Sequence, residues 1–254
     1  RCRGRVISWD VLNEMLDGGF FEERLGGRFL SWLFQTAHCR DPDAALFLNE
    51  YTVLEDESRH QSYLTLIERL RGEGLPVGGI GIQEHDAQNL LLPDDQPGRD
   101  FLKLGLDDSR LIIPQEALRR LDDYAAAGLP VHLSEITSWS SDDTRRAEAL
   151  ADFMRLGFSH PGVQAMLLWG FWEPRHFRGR QACLFTRDWC ELPAARAVSR
   201  LILREWTTRE RLQTHPAGRV KFRGFPGDYT VTIGRRQHRI HLSGTNPTVT
   251  ITVG

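Results

Sequence analysis

Strand-like and helix-like segments alternate along the first 206 residues, and this alternation limits the chain to few folds. Short apolar runs predict five strands, at about residues 5–12, 45–49, 78–83, 131–135 and 165–170. A helical pattern follows each of them. Parallel strands need long crossover connections, usually helices, so this order is typical of a parallel sheet covered by helices. We therefore predict an α/β fold built from five strand–helix units.

The predicted helices carry ordinary start and stop signals. They cover residues 27–38, 57–71, 114–127, a segment that runs to Leu156 after the cap Ser141–Asp143, and 192–205. Pro114 lies in the first turn of its helix and Gly128 follows the last. Gly157 is expected to end its helix in the same way.

Two of the predicted strands run directly into a glutamate. One ends at Glu14 and the other at Glu135. In a barrel of parallel strands, functional groups lie at the C-terminal strand ends, on one shared face. A carboxylate pair there is the equipment for glycoside hydrolysis, with one group as acid and the other as nucleophile or base. The alternative is that both are ordinary solvated residues, and the surrounding sequence decides between the two.

The sequence around both glutamates resembles glycoside hydrolase family 10, the xylanases. Trp9–Glu14 matches the family's Trp-Asp-Val-Val-Asn-Glu strand at five of six positions. Leu133–Thr137 stands in place of its Ile-Thr-Glu-Leu-Asp strand, with Thr137 where the family has an acid. Three further family-like stretches are Asp41–Tyr51, Gly79–His85 and Leu168–Trp172. The five motifs keep the family's order over residues 4 to about 206.

The resemblance implies a (β/α)8 TIM barrel and a retaining endo-β-1,4-xylanase that needs no metal or cofactor. It implies that Glu14 is the acid/base and Glu135 the nucleophile. Its substrate would be xylan or xylo-oligosaccharides. Two alternatives stay open: a catalytically incompetent fragment or carbohydrate-binding protein, and a related β-glycanase or aryl glycosidase with another substrate.

The resemblance also implies roles for eight further residues. His85 would donate to the nucleophile, Gln83 would orient the acid/base or substrate, and Asn13 would bond the sugar 2-OH. The Gln-x-His spacing places both side chains on one face of a strand. The other expected contacts are Trp169, Trp172 and Phe177 as an aromatic wall, with Asn49 and Tyr51 in support. Structural alternatives are a strand cap for His85, a turn for Asn13, a hydrogen-bond network for Asn49 and Tyr51, and barrel core for Trp169.

A closed barrel of this type needs eight strand–helix units, whereas the sequence predicts five. The resemblance places Glu14 on the fourth strand. We therefore expect the chain to be part of a longer protein, with the N-terminal half of the barrel as a partner. The 254 residues alone are expected to be poorly soluble and to have little activity, because an open sheet exposes strand edges.

From about residue 207 the pattern changes to short alternating runs separated by turns. Runs at 219–225, 229–233, 237–242 and 248–253 predict antiparallel strands. We predict two domains, a partial TIM-barrel catalytic domain at 1–206 and a small β-sandwich-like tail at 207–254. A structural role for the tail is favoured over sugar binding. The connection Asp86–Asp108 is long and is expected to form a rim of the site or a surface loop.

Charge, hydropathy and cysteine spacing argue against several partners and sites. The formal net charge of −2 gives no reason to expect nucleic acid or an anionic membrane as a partner. No apolar run approaches the roughly 18 residues of a membrane span. The four cysteines have no metal-type spacing, and Cys183 and Cys190 either pair or remain free thiols. The family resemblance implies a secreted or extracytoplasmic location.

Overall fold

The computed structural model describes residues 2–91, 111–243 and 249–251. Five strands form one parallel sheet in chain order. They are β1 (Ser8–Asn13), β2 (Ala45–Tyr51), β3 (Gly79–Glu84), β4 (Val131–Ile136) and β5 (Val163–Leu168). This arrangement confirms the predicted α/β class, with strands of a barrel as the sheet. The predicted loop Asp86–Asp108 falls mostly outside the described residues.

Helices fill the connections between the strands. They are α1 (Gly19–Leu25), α2 (Phe29–Arg40), α3 (Glu57–Gly72), α4 (Pro114–Ala126), α5 (Asp143–Ser159) and α6 (Pro193–Arg200). A π turn (Leu201–Glu205) continues α6, and short 3-10 turns lie at Ala87–Asn89, Glu173–Arg175 and Gly179–Gln181. Within the described ranges, no helix combines the length and apolarity that crossing a bilayer requires.

One predicted helix end is wrong. Gly157 does not stop α5 but lies inside its last turns. A Cβ atom at this position would lie 2.6 Å from Leu133 Cδ1 and 2.9 Å from Met166 Sδ. The glycine therefore serves close packing of α5 on β4 and β5 rather than helix termination. The sequence also gave no signal for α1, which buries none of its residues.

The core lies where the central strands meet the helices. Leu46 and Leu48 of β2 and Ile80 and Ile82 of β3 are almost fully buried, as are Ile67 and Leu70 of α3. Burial of each such side chain contributes roughly 1.5–3 kcal/mol. On the other face of the sheet, the Phe47 ring occupies the space above Gly79, where a Cβ would lie 2.1 Å from the ring.

The outer strands are less well covered than the central ones. Each of β1 and β5 pairs with a single neighbour among the described residues. Ile7, just before β1, and Leu167, in β5, are exposed apolar side chains. Such edges offer unpaired backbone groups and apolar surface to another chain.

We therefore expect the 254-residue polypeptide by itself to associate through these edges. Leu167→Lys should weaken the association, because a charge on an edge strand opposes edge pairing. Sedimentation velocity over a concentration series measures the effect. Leu212→Lys is the matched control, since Leu212 is 47% exposed against 48% for Leu167 but lies outside the sheet. A monomeric wild-type chain at all concentrations would contradict this expectation.

By the density of its internal contacts, the chain divides into two units, Arg1–Ala197 and Val198–Gly254. In the second unit, β6 (Gly227–Ile233) and β7 (Arg236–Leu242) form an antiparallel hairpin. The predicted strand at 219–225 is wrong: no residue of this run is in a strand, and Val220, Phe222 and Phe225 stay about 40% exposed, so the run has no well-buried apolar face. Of the run 248–253, residues 249–251 are not in a strand and the others lie outside the described residues. The predicted boundary at 206/207 stays a prediction.

All four cysteines are free thiols, including Cys183 and Cys190. Cys183 is buried, and burial raises the pKa of its thiol. The first of the two alternatives for this pair is therefore wrong.

Candidate active site

Both predicted carboxylates lie at the C-terminal end of the sheet. Glu14 follows β1 directly, and its backbone N–H donates to the Asn49 carbonyl at 2.9 Å. Its φ of 57° lies in the left-handed region, which is uncommon for a residue other than glycine. Glu135 is the last but one residue of β4 and lies beside Gln83 of β3. A strained backbone at one of two carboxylates marks this strand end as a functional candidate.

Two asparagine amides connect the carboxylates. Asn13 Nδ2 donates to Glu14 Oε1 at 3.0 Å. Asn49 Nδ2 donates to Asn13 Oδ1 at 2.8 Å and to Glu135 Oε1 at 3.0 Å. The chain of amides therefore fixes the two acids relative to each other across β1, β2 and β4. This places Asn13 and Asn49, both predicted from the sequence, in contact with the carboxylates.

Gln83 and His85 reach the same acids from β3. Gln83 Nε2 lies 3.2 Å from Glu14 Oε1 and 3.0 Å from Asn13 Oδ1. His85 Nε2 lies 3.1 Å from Gln83 Oε1 and 3.3 Å from Glu135 Oε2. Both neighbours of this nitrogen are acceptors, so Nε2 carries a proton and donates. The other nitrogen, Nδ1, lies 3.3 Å from the neutral hydroxyl of Thr137.

The Gly-Ile-Gly motif makes room for this network. A Cβ atom at Gly81 would lie 2.5 Å from Asn49 Oδ1. Ser134 Oγ donates to the same oxygen at 2.5 Å, which leaves the Asn49 amide group free to point at Glu135. Glycine at position 81 is therefore a steric requirement of the site.

Arg59 anchors the loop that follows Glu14. Its guanidinium lies 3.0 Å from Asp17 and 3.1 Å from the buried Glu50, whose Oε1 accepts the Leu16 N–H. The hydrogen bond from Arg59, followed by that from Tyr51, lowers the pKa of Asp17. Tyr51 OH donates to Asp17 Oδ2, and its ring lies under Arg59. Tyr51 thus lines the site while supporting this loop.

Two aromatic side chains contact His85. The rings of Trp169 and Phe177 stand edge-on to the imidazole, with centroids 6.1 and 5.8 Å away. Trp169 is 48% exposed and Phe177 is 60% exposed. Trp172 lies elsewhere: it stacks on Trp189 at 5.4 Å and donates from Nε1 to the Arg187 carbonyl. The predicted aromatic wall therefore consists of Trp169 and Phe177 without Trp172.

These residues enclose a cavity of about 390 Å³. Its lining consists of Asn13, Glu14, Tyr51, Thr52, Glu55, Gln83, His85, Asp86, Glu135, Trp169, Phe177 and Arg178. Sequence reasoning did not identify four of them, namely Thr52, Glu55, Asp86 and Arg178. Asp86 could have been predicted because it directly follows the Gln-x-His motif. Thr52, Glu55 and Arg178 carry no comparable sequence signal.

The electrostatics of the cavity disfavour an anionic ligand. Four carboxyl groups against one arginine oppose the entry of an anion. Burial and then the charge of Glu135 raise the pKa of Asp10, a nearby residue of β1. Within the described ranges, no group of three or more His, Cys, Asp or Glu side chains has the geometry to hold a metal ion.

Comparison with known proteins finds one protein family. The sequence model of glycosyl hydrolase family 10 matches residues 1–201. The anti-sigma-I factor RsgI6 of Acetivibrio thermocellus is 34% identical over 91% of this chain and 27% of its own length. Endo-1,4-beta-xylanase 2 of Arabidopsis thaliana is 32% identical over 92% of this chain and 20% of its own length. The chain thus spans about a quarter of the length of these relatives.

Solved structures give the same result. Xylanase 10B of Thermotoga petrophila, crystallised with xylobiose, superimposes with a TM-score of 0.64 at 26% identity. The match covers 80% of this chain and 62% of that one. Xylanase 10B of Thermotoga maritima gives the same TM-score at 25% identity, with the same coverage.

Proposed function

Because the chain belongs to glycosyl hydrolase family 10, we propose that it forms the catalytic face of a retaining endo-β-1,4-xylanase. The observation that carries this proposal is the pair of strand-end carboxylates, Glu14 and Glu135, linked through the amides of Asn13 and Asn49. A binding protein has no need for two acids held in this way. Hydrolysis of a glycosidic bond needs both of them.

In this proposal, Glu135 attacks the anomeric carbon while Glu14 protonates the departing oxygen. A covalent glycosyl–enzyme forms with inverted configuration at the anomeric carbon. Glu14, now ionised, then removes a proton from water, which displaces Glu135 and restores the original configuration. Two inversions give net retention, and each carboxyl returns to its starting state.

Hydrogen-bond donors keep Glu135 ready for this attack. Asn49 Nδ2 and His85 Nε2 approach its two oxygens, one each, at 3.0 and 3.3 Å. Held through both oxygens, the carboxylate keeps one orientation for attack on the sugar. The Asn13 amide, one residue before Glu14, is placed to exchange its bond for one to a sugar hydroxyl beside the reacting carbon. Such a bond contributes to rate when it strengthens at the transition state.

The proposed substrate is a neutral β-linked xylan chain. Trp169 and Phe177 offer exposed rings beside His85, and the apolar faces of sugar rings pack on such surfaces. Relatives named as endo-1,4-beta-xylanases and a family structure with bound xylobiose support this choice.

A second function, carbohydrate binding without hydrolysis, is favoured by one relative. The Acetivibrio thermocellus protein that is 34% identical over 91% of this chain is named an anti-sigma-I factor rather than a xylanase. Thr137 also stands where the family carries an acid near the nucleophile. In this alternative the same cleft would hold xylan and leave it intact.

Proton NMR of a xylo-oligosaccharide digest separates the two functions. We expect new reducing ends, with the β anomer appearing first and the α anomer following by mutarotation. Cello-oligosaccharides of equal length serve as the control for substrate choice. Saturable binding of xylohexaose with no new reducing ends would support the binding function, and initial appearance of the α anomer would contradict a retaining mechanism.

A further inference from the structure

A second pair of carboxyl groups, Glu55 and Glu84, adjoins Gln83 and His85, and Glu55 also borders the cavity. Strand alternation places Gln83 and His85 on the cleft side and Glu84, between them, on the opposite side. Glu84 is 1% exposed. Glu55 reaches it from the loop after β2, one residue before Asp56, which caps α3 by accepting the Arg59 N–H. The two carboxyl groups are in hydrogen-bond contact.

This contact cannot be formed by two ionised groups. Glu84 Oε1 accepts the Asp86 N–H at 2.9 Å. The Oε2 atoms of Glu55 and Glu84 are buried and have no N–H or O–H donor. Among residues 2–91 and 111–243, no arginine, lysine or histidine forms an ion pair with either group. Two buried carboxylates in contact repel each other strongly, whereas one proton between them makes a short, strong hydrogen bond.

The surroundings indicate where the proton resides. Glu55 lies just before the N-terminus of α3, where negative charge is favoured, although burial raises its pKa as well. Burial, and then the charge of Glu55, raises the pKa of Glu84 well above its usual range. The charge of Asp86 raises the pKa of both carboxyl groups. Two further titratable or charged groups lie nearby: Arg178, which is 4.0 Å from Asp86, and His85, which follows Glu84 in the chain. Because Glu84 is 1% exposed and Glu55 is less deeply buried, we place the proton on Glu84 and the negative charge on Glu55.

We propose that Glu55 and Glu84 share one proton at neutral pH, and that this acid pair is a positioning device for the end of β3. Glu84 lies between Gln83 and His85 in the chain, and these two residues contact Glu14 and Glu135. Holding Glu84 against the loop before α3 fixes the height and twist of that strand end. The shared proton does not depend on the proposed xylanase function, whereas the effect on turnover rests on it.

Infrared spectroscopy with carbonyl-labelled glutamate tests the shared proton directly. At pH 7 we expect, besides the band of the proton donor Glu14, which Glu14→Gln removes, the C=O stretch of one further protonated, buried glutamic acid. It should vanish in Glu84→Gln and in Glu55→Gln, because each variant leaves one carboxylate bonded to an amide. Glu148→Gln, an exposed glutamate of α5, is the control that keeps the band. Absence of the band in the wild-type protein at pH 7 would overturn the proposal whether or not the variants fold.

Stability against pH gives a second readout. A carboxyl whose pKa is higher in the folded than in the unfolded chain binds more protons when folded. Stability then falls as pH rises above the unfolded value of about 4.3, until the folded pKa is reached. Glu84→Gln removes this term, so its midpoint of thermal unfolding should fall less than the wild-type midpoint over that range. Parallel curves for the two proteins would contradict a raised pKa at Glu84.

Turnover tests the positioning role. Ionisation of the pair at high pH should lower kcat more than it raises KM, and Glu84→Gln should shift this alkaline loss to higher pH. Glu84→Ala should lower kcat at every pH, because the strand end loses its anchor. If the infrared band is present but Glu84→Gln leaves the alkaline limb of the kcat profile unchanged, the shared proton is supported and the positioning role is refuted. Absence of any xylanase activity with the band present would refute the proposed function alone.

Discussion

Replacing Glu135 with alanine is expected to reduce kcat on xylan and on aryl xylosides by on the order of 10⁵-fold, the lower end of effective molarities for a held nucleophile. Water must then attack without the covalent intermediate, and the positive charge at the anomeric carbon loses its counter-charge. The measurement is steady-state kinetics of the protein that carries this chain. Glu68→Ala, an exposed glutamate of α3, is the matched control and should keep full activity.

Azide should restore turnover of the Glu135→Ala variant on an activated aryl xyloside. The vacated space beside Asn49 and His85 admits a small anion that attacks the anomeric carbon from the same side. The product is then the α-glycosyl azide, because a single displacement inverts the configuration. Full activity of the variant without azide, or recovery of the β-azide, would contradict the role of Glu135.

Replacing Glu14 with alanine is expected to slow hydrolysis of a substrate more, the more basic its leaving group is. General acid catalysis contributes about 10²–10⁴-fold, and an alkoxide leaving group such as the next xylose needs all of it. An activated dinitrophenol needs almost none, so its departure should survive. The second step then becomes slow, because no base activates water, and a pre-steady-state burst should appear.

A Brønsted plot across a series of aryl xylosides measures this effect. The slope should be steep for Glu14→Ala and shallow for the wild-type protein. Azide should also accelerate the Glu14→Ala variant, here with the β-glycosyl azide as product, since the covalent intermediate is intact. An equal loss for all leaving groups would argue against an acid/base role.

The site residues at the strand ends could be predicted because those of each strand lie in one short, continuous stretch of sequence. Asn13 and Glu14 are adjacent, and Gln83 and His85 share one strand face by spacing alone. Parallel strands bring such ends to one edge of the sheet, and the family resemblance supplied the roles of the residues that meet there. The hydrogen bond from Asn49 to Glu135 completes it between residues 86 positions apart.

What could not be predicted depends on which surfaces meet in three dimensions. Glu55 and Glu84 look like ordinary charged residues in sequence, and only their burial against each other makes them an acid pair. Gly157 carries the usual signal of a helix end, yet close packing on Leu133 and Met166 decides its role. Trp172 follows Trp169 by three positions, but its indole is held by Trp189 and the Arg187 carbonyl, away from the cleft.

In the proposed mechanism, Glu135 forms the covalent bond to the sugar. The most direct test is inactivation with a 2-deoxy-2-fluoro xylobioside bearing a dinitrophenyl leaving group, followed by peptide mass spectrometry. The fluorine slows both steps and the good leaving group restores the first, so the intermediate accumulates. We expect one added xylobiosyl mass, located on Glu135 and absent from Glu135→Ala. A label on any other residue, or steady hydrolysis of the reagent with no label, would contradict it.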